Sequence, residues 1–218
     1  YLDMTHYTSY DLIEWAKPFE KRKNALPKPK GSEVLIRVTA AGLCHSDLHV
    51  QKGYMDLGNE GRLTFAERGA ELPMTFGHEI AGIVENTGAD ANSFKKGQQV
   101  LVFPWIGCGE CAACKEERES DCASMRIIGL KQKGGFATHC LIEHEQFLVD
   151  IDGLDPADVV PHACSGITVY NALEKLGELR TDEWMAILGC GGLGLNAIAI
   201  ARALGFENII ACLLYTSD

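Results

Sequence analysis

The chain has 218 residues, 46% of them hydrophobic and 23% charged, with 30 acidic against 20 basic side chains and a formal charge of -10. That length accommodates one or two domains with a real core, and the composition excludes a wholly disordered chain. The acidic balance makes nucleic acid and anionic membrane poor partners, and no apolar run is long enough for a spanning helix. Residues Tyr1 to Tyr10 lack the basic-then-apolar layout of a signal peptide. Nine cysteines occur, four of them within the stretch Cys108 to Cys122. Without an export signal they read as reduced thiols serving as metal ligands, not as a disulfide scaffold, and the cytoplasm is the expected compartment.

In chain order, β-branched and alternating segments predict strands at Glu33–Ala40, Ile80–Asn86, Gln98–Phe103, Ala137–Ile142 and Gln146–Ile151. The polar, glycine-rich stretch from Gln51 to Thr75 predicts a loop with one short helix near Leu63–Arg68. From Asp155 the character changes. Ser165–Gly177 predicts a helix with an apolar face of Ile167, Tyr170, Leu173 and Leu176, ended by its glycine. Glu183–Leu188 then predicts a short buried strand, Leu193–Leu204 an apolar helix closed by Gly205, and Asn208–Cys212 another strand. Strand, glycine turn, helix, strand is one βαβ unit and implies a parallel sheet. The expected boundary lies near Asp155.

Cys108-x2-Cys111-x2-Cys114-x7-Cys122 is the strongest single signal. Four thiolates at this spacing can wrap a tetrahedral zinc ion in a closed site. An iron–sulfur cluster is the rival, although bacterial ferredoxins close their run with x3-Cys-Pro, whereas here the last gap is seven and Ala123 follows. Four buried free thiols are the third reading. A closed zinc site would stabilise its loop and do no chemistry.

A second signal is dispersed. Cys44 sits in Gly42-Leu-Cys-His-Ser-Asp-Leu-His49 after a strand, Gly77-His-Glu79 precedes another, and Cys164 stands at the junction of the two halves. One histidine and two cysteines with an open position form the ligand set of one class of catalytic zinc site. Each residue alone more often reads as structural, and only their joint occurrence with the other motifs reverses that. The third signal, Gly189-Cys-Gly191-Gly-Leu-Gly194, lies between a strand and a helix. Glycines there permit a tight turn and close backbone approach to a pyrophosphate at the helix N-terminus, or simply an ordinary turn.

Taken together and in order, these motifs, with Cys164-Ser-Gly-Ile-Thr-Val-Tyr170, closely resemble the zinc-containing alcohol dehydrogenases of the medium-chain dehydrogenase/reductase superfamily. The resemblance runs from about Glu33 to Ile210. It implies an α/β plus β chain: a GroES-like β-rich catalytic domain over residues 1–155, then the first part of a Rossmann doubly wound parallel sheet over 156–218. Position by position, it implies Cys44, His78 and Cys164 as catalytic zinc ligands. Cys108, Cys111, Cys114 and Cys122 would hold a second, structural zinc. Glu79 matches the acidic neighbour behind the metal, and Asp47 the carboxylate that orients the ligand histidine. Ser46 matches the hydroxyl that contacts the alcohol, and His49 the far end of a proton relay. His45 would face the cofactor pyrophosphate and Thr168 the nicotinamide, while Gly189, Gly191, Gly192, Leu193 and Gly194 would cradle NAD or NADP. Pro104 and Trp105 are either pocket lining or a structural pair. The implied chemistry is zinc-assisted deprotonation of an alcohol and hydride transfer to the nicotinamide, giving an aldehyde or ketone.

The sequence also departs from that family. The chain begins on Tyr1 and ends after one strand–helix–strand, and Leu213 stands where an acidic residue would hold the ribose hydroxyls. The tail Leu213-Leu-Tyr-Thr-Ser-Asp218 is unlike the family, so a frame truncated, or finished with foreign sequence, after about Ala211 is expected, with weak or absent activity in the chain alone. Polyol, sugar or formaldehyde dehydrogenases on the same zinc site are the nearest alternatives. A zinc-free reductase, a zinc-stabilised binding module, an iron–sulfur carrier and an inactive zinc-binding fragment are the remaining ones. A small-molecule alcohol or aldehyde is the expected partner, with no nucleic acid or membrane, and a homo-oligomer is expected for the complete protein. Glu116, Glu117, Glu119 and Asp121 are expected to face water. His139, His144 and His162 read as structural, and Cys140, Cys190 and Cys212 as small buried residues.

Overall fold

A computed structural model describes residues 5–177 and 182–213. It divides into two compact units, Tyr1–Val160 and Pro161–Asp218. In the first unit a hairpin of β1 (His6–Leu12) and β2 (Glu20–Ala25) precedes β3 (Val34–Gly42) and the helix α1 (His45–Lys52). A small hairpin, β4 (Tyr54–Asp56) and β5 (Arg62–Thr64), and the short β6 (Met74–Thr75) lead to β7 (Glu79–Thr87). There follow β8 (Gln99–Val102), β9 (Trp105–Ile106), the single-turn α2 (Ala112–Lys115), β10 (Arg126–Ile127), β11 (His139–Ile142), β12 (Leu148–Asp150) and the short α3 (Pro156–Val159).

The main sheet has the order β11-β3-β7-β8-β12, and every neighbouring pair is antiparallel. Its inward side chains, Val34, Ile36, Ile80, Val84, Val100 and Val102, are fully buried and form the largest apolar cluster. Burying a side chain of this size stabilises by about 1.5–3 kcal/mol before entropy is counted, so this sheet is the rigid base of the unit. All five strands foreseen here form. The last is shorter: Glu145–Phe147 make a 3-10 turn, with His144 Nδ1 accepting from Gln146 N–H at 3.0 Å, and only Leu148–Asp150 extend.

Three features differ from expectation. The helix near Leu63–Arg68 does not form. Gly61, at φ +89°, turns the chain back so that Leu63 and Thr64 pair with β4. The single turn that follows ends at Gly69, held by i,i+3 bonds from Arg68 and Gly69. The N-terminal hairpin was unforeseen because β2 is polar and solvent-facing throughout and shows no apolar alternation. Helix α1 forms where the sequence shows no helical periodicity. Asp47, at its third position, accepts the Cys44 N–H at 3.0 Å, and Gly53 closes the helix in the left-handed region.

In the second unit, α4 (Ser165–Glu174) is followed by β13 (Met185–Leu188), α5 (Gly192–Ala203) and β14 (Ile209–Cys212). The strands pair in parallel, Met185 opposite Ile209 through Leu188 opposite Cys212, so the expected βαβ unit is present. Its small core joins Val169, Leu173, Met185 and Ala201. Two expectations are corrected. Helix α4 buries Gly166, Val169 and Leu173, whereas Tyr170 and Leu176 face outward, because the stripe that meets the core lies one position round the helix. Strand β13 is buried only at Met185 and leaves Leu188 79% exposed, since among the described residues it has one strand neighbour. Cys190 and Cys212 are half-buried, whereas Cys140 is buried as expected. The tail Leu-Tyr-Thr-Ser-Asp218 lies outside the described residues.

Candidate metal centres

The four-cysteine lobe sits between β9 and β10. Its Cys108, Cys111, Cys114 and Cys122 sulfurs all lie within 4.8 Å of one another. Cys114 Sγ is 3.9 Å from Cys108 Sγ and 3.5 Å from Cys111 Sγ. A tetrahedral ion with zinc–sulfur bonds of about 2.3 Å needs sulfurs about 3.8 Å apart, so these residues fit one zinc. Backbone donors complete the fit. Cys111 N–H points at Cys108 Sγ and Cys108 N–H at Cys122 Sγ, each at 3.4 Å. Backbone N–H groups of Glu110 and Cys111 pull the Cys108 thiol down to about 6, whereas desolvation pushes Cys114 up to about 12. A bound cation removes that disparity by taking all four as thiolates. Gly107 closes the lobe, because a Cβ there would stand 2.7 Å from Cys114 Sγ and from Glu119 Cγ. Sequence reasoning missed this role, and it corrects the expectation for Glu119, which is half-buried while Glu116, Glu117 and Asp121 face water.

The second constellation is assembled from α1 and the β6–β7 junction. Cys44 and the buried His78 and Glu79 bring their ligand atoms within 4.8 Å of one another. Asp47 organises them. Its Oδ1 faces His78 Nδ1–H at 3.3 Å while Oδ2 accepts the Cys44 N–H at 3.0 Å. Nδ1 is thereby committed to the carboxylate, and Nε2 is left facing Ser46 Oγ at 3.5 Å. Ser46 in turn donates to Cys44 Sγ at 3.1 Å. A histidine fixed by a buried carboxylate, with its other nitrogen and a cysteine sulfur converging on one hydroxyl, is the donor chemistry of a zinc site.

The electrostatics agree. Burial works against the His78 imidazolium, but Asp47 and the Cys44 thiolate outweigh it and hold its pKa up at about 10. Desolvation, then the Cys44 charge, lift Glu79 to about 7. Gly42 lies opposite Glu79 in the β3–β7 ladder, and a Cβ at Gly42 would overlap the Glu79 carboxylate. One turn along α1, His45 and His49 stack edge to face with ring centres 4.8 Å apart. Pro104 is buried, and Trp105 pairs with Ile127 and packs against Phe103 at 5.7 Å.

Cys164 and Thr168 belong to the second unit. Cys164 precedes the first turn of α4, and its carbonyl accepts the Thr168 N–H at 3.0 Å. In the same unit Gly189 adopts φ +92° and donates its N–H to Cys212 O at 2.8 Å, tying the turn to β14. A Cβ at Gly194 would overlap Gly189 O, so the third glycine lets the helix pack against its own turn. Added Cβ atoms at Gly191 or Gly192 would meet nothing within 4 Å. Open space beside the N-terminus of a twelve-residue helix, starting at Gly192 and Leu193, fits a diphosphate.

A family model described as the alcohol dehydrogenase GroES-like domain matches residues 30–153, more than half of the sequence. The chain belongs to this family. Among curated relatives, it is 39% identical over 201 residues to an NAD-dependent alcohol dehydrogenase of Sulfurisphaera tokodaii, covering 91% of this chain and 56% of that protein. It is 36% identical over 200 residues to an alcohol dehydrogenase of Geobacillus stearothermophilus, covering 91% of this chain and 55% of the relative. The chain thus spans little more than half the length of these relatives. Among solved structures, the D-arabinose dehydrogenase from Sulfolobus solfataricus superposes with a TM-score of 0.81 at 29% identity, covering 99% of this chain and 62% of that one. The alcohol dehydrogenase of Aeropyrum pernix gives a TM-score of 0.80 at 27% identity, over 94% of this chain and 58% of the other. The fold of a GroES-like domain followed by the start of a Rossmann sheet is therefore the family fold.

Proposed function

We propose that the protein is a zinc-dependent oxidoreductase that moves a hydride between an alcohol and NAD(P), giving an aldehyde or ketone. The arrangement of Cys44, Ser46, Asp47, His78 and Glu79 carries this reading. Cys44 and His78, with Cys164 taken from the sequence pattern, would hold the catalytic zinc, and the four lobe cysteines the structural one. Bound there, zinc polarises a hydroxyl oxygen and brings its pKa towards neutrality. Ser46 Oγ, between Cys44 Sγ and His78 Nε2, is the first group able to take the released proton. His49, half-buried on the same helix, would receive it next. Asp47 keeps Nδ1 of His78 protonated and so fixes the ligand nitrogen. Glu79 offers a nearby oxygen that can replace a departing ligand. Gly189, Gly191, Gly192, Leu193 and Gly194 would seat the cofactor diphosphate, and His45 and Thr168 would be further cofactor contacts by the sequence resemblance.

The similarity to a D-arabinose dehydrogenase favours sugars or polyols as the second substrate class on the same centre. All nine cysteines are free thiols, which accords with a reducing compartment such as the cytoplasm, and a homo-oligomer remains our expectation for the assembled enzyme. Elemental analysis of protein purified without added metal tests the reading, together with NAD(P) reduction by a panel of alcohols and polyols. Two zincs per chain are expected, falling to one in Cys44→Ala and to one in Cys108→Ala. Iron in the lobe, or a zinc content untouched by Cys44→Ala, would overturn it.

A further inference from the structure

The segment just before His78 is held from one side by a loop to which no role has been given. Ile128–Phe136 leaves the lobe hairpin and lies along Thr75–Gly77. Gly134 N–H donates to Thr75 O at 2.7 Å, Gly135 N–H to Gly77 O at 2.8 Å and Phe136 N–H to Phe76 O at 2.9 Å. The two backbones touch because glycines face each other. A Cβ on Gly134 would overlap Gly77 O and stand 2.6 Å from Phe76 O, and one on Gly129 would stand 2.8 Å from Gly77 O. Gly77 itself has φ +90°, and its open side is filled by the Phe136 ring, 2.6 Å from where a Cβ would be. The base of the loop is fixed. Ile128 is in the main core and donates its N–H to Pro104 O at 3.0 Å, six residues after Cys122.

We propose that Gly129, Gly134 and Phe136 are positioning residues that set the His78 backbone through Gly77, so that the loop leaving the four-cysteine lobe fixes the histidine of the other centre. The physical reason is rigidity at close range. One backbone hydrogen bond to Gly77, two more to Thr75 and Phe76, and a glycine-on-glycine contact restrict how Gly77 can shift, and His78 is the next residue. Asp47 then has only to set the ring. A ligand nitrogen displaced by a fraction of an ångström weakens coordination even when the fold is intact.

The inference rests on the metal reading of Cys44 and His78, and its test separates the two. Zinc release to a chromogenic chelator is followed in the full chain for wild type, Gly134→Ala, Phe136→Leu and Gly88→Ala. Gly88 is a matched control. A Cβ there would also overlap a backbone carbonyl, that of Gly31, but at the far end of β7, about 33 Å along the strand from His78. Wild type is expected to release two zincs in distinct phases. Gly134→Ala should speed one phase about tenfold or more and leave the lobe phase alone. Phe136→Leu, which opens space without a clash, should speed the same phase by a smaller factor and decides the matter if Gly134→Ala does not fold. Gly88→Ala should lower the melting temperature and leave both phases unchanged. Wild-type release from Phe136→Leu together with a folded Gly134→Ala, or the same acceleration in Gly88→Ala, would overturn the inference while leaving the metal reading intact. A single zinc in the wild type would overturn both.

Discussion

The two candidate metal centres are built by opposite means. In the lobe, all four ligands come from one stretch of chain, and little besides the ligands holds it shut: Cys114 and Cys122 are buried, but most of the residues between them face solvent. At the other centre, Cys44 and His78 are far apart in sequence and are brought together by the β3–β7 ladder, by α1 and by the buried Asp47. The first centre should need its metal in order to be a structure. The second should exist before its metal arrives, because apolar burial in the sheet has already placed its parts.

Removing the metal tests this contrast most severely. Treatment with a strong chelator is expected to expose the amides of residues 107–125 to rapid hydrogen exchange, whereas β3, β7 and β8 keep their protection. Structural zinc contributes on the order of 10–16 kcal/mol of apparent binding free energy in small zinc-dependent domains, and the lobe has no comparable apolar core to replace it. Protection of 107–125 that survived complete removal would place the lobe with the sheet and break the comparison.

A smaller effect, confined to the other centre, is expected from Asp47→Asn. The amide keeps the size of the carboxylate but loses the charge that orients His78 Nδ1–H, and the weaker acceptor also loosens the Cys44 N–H contact. Loss of such an orienting carboxylate typically costs 10–100-fold in metal affinity. Competition with a chelator of known affinity should show a weakening of about that size at one zinc and none at the other. Equal weakening of both zincs would mean that Asp47 acts on the whole unit, not on its own site.

Much of this contrast was legible in the sequence, for reasons that differ between the centres. Cysteines at the 1-4-7 spacing of Cys108, Cys111 and Cys114 announce their chemistry because a single loop supplies every ligand. Cys44 and His78 carried no such signal alone, and only the order of the surrounding motifs joined them. The glycine turn at Gly189–Gly194 was readable because strand and helix patterns flank it. Long-range steric facts were not readable. Gly42 opposite Glu79, and Gly129 and Gly134 against Gly77, are each glycine for the sake of a residue distant in sequence. Strand β2 was hidden for a different reason: it is a solvent-facing strand held by its partner's hydrogen bonds, so burial left no pattern to read. The start of α1 is marked by Asp47 three residues after Cys44, a signal masked because cysteine is not among the usual capping residues.

The mildest change tests whether the lobe owes its closure to sulfur or to surface charge. Arg118, between the third and fourth cysteines, binds Asp121 at 2.6 Å and Glu116 at 2.7 Å, but all three side chains are more than half exposed. Exposed pairs gain little from attraction that water already screens, and they lose side-chain freedom in forming. At high salt the Debye length falls to about 3 Å, and even that small attraction is lost. Arg118→Ala is therefore expected to leave zinc content, the rate of zinc release and the melting temperature unchanged, at low salt and at 1 M salt alike. If the variant released the lobe zinc faster at low salt, the charge network would be sharing the work of the four thiolates. The lobe would then be a folded loop that also binds metal, and the difference between the two centres would narrow to one of degree.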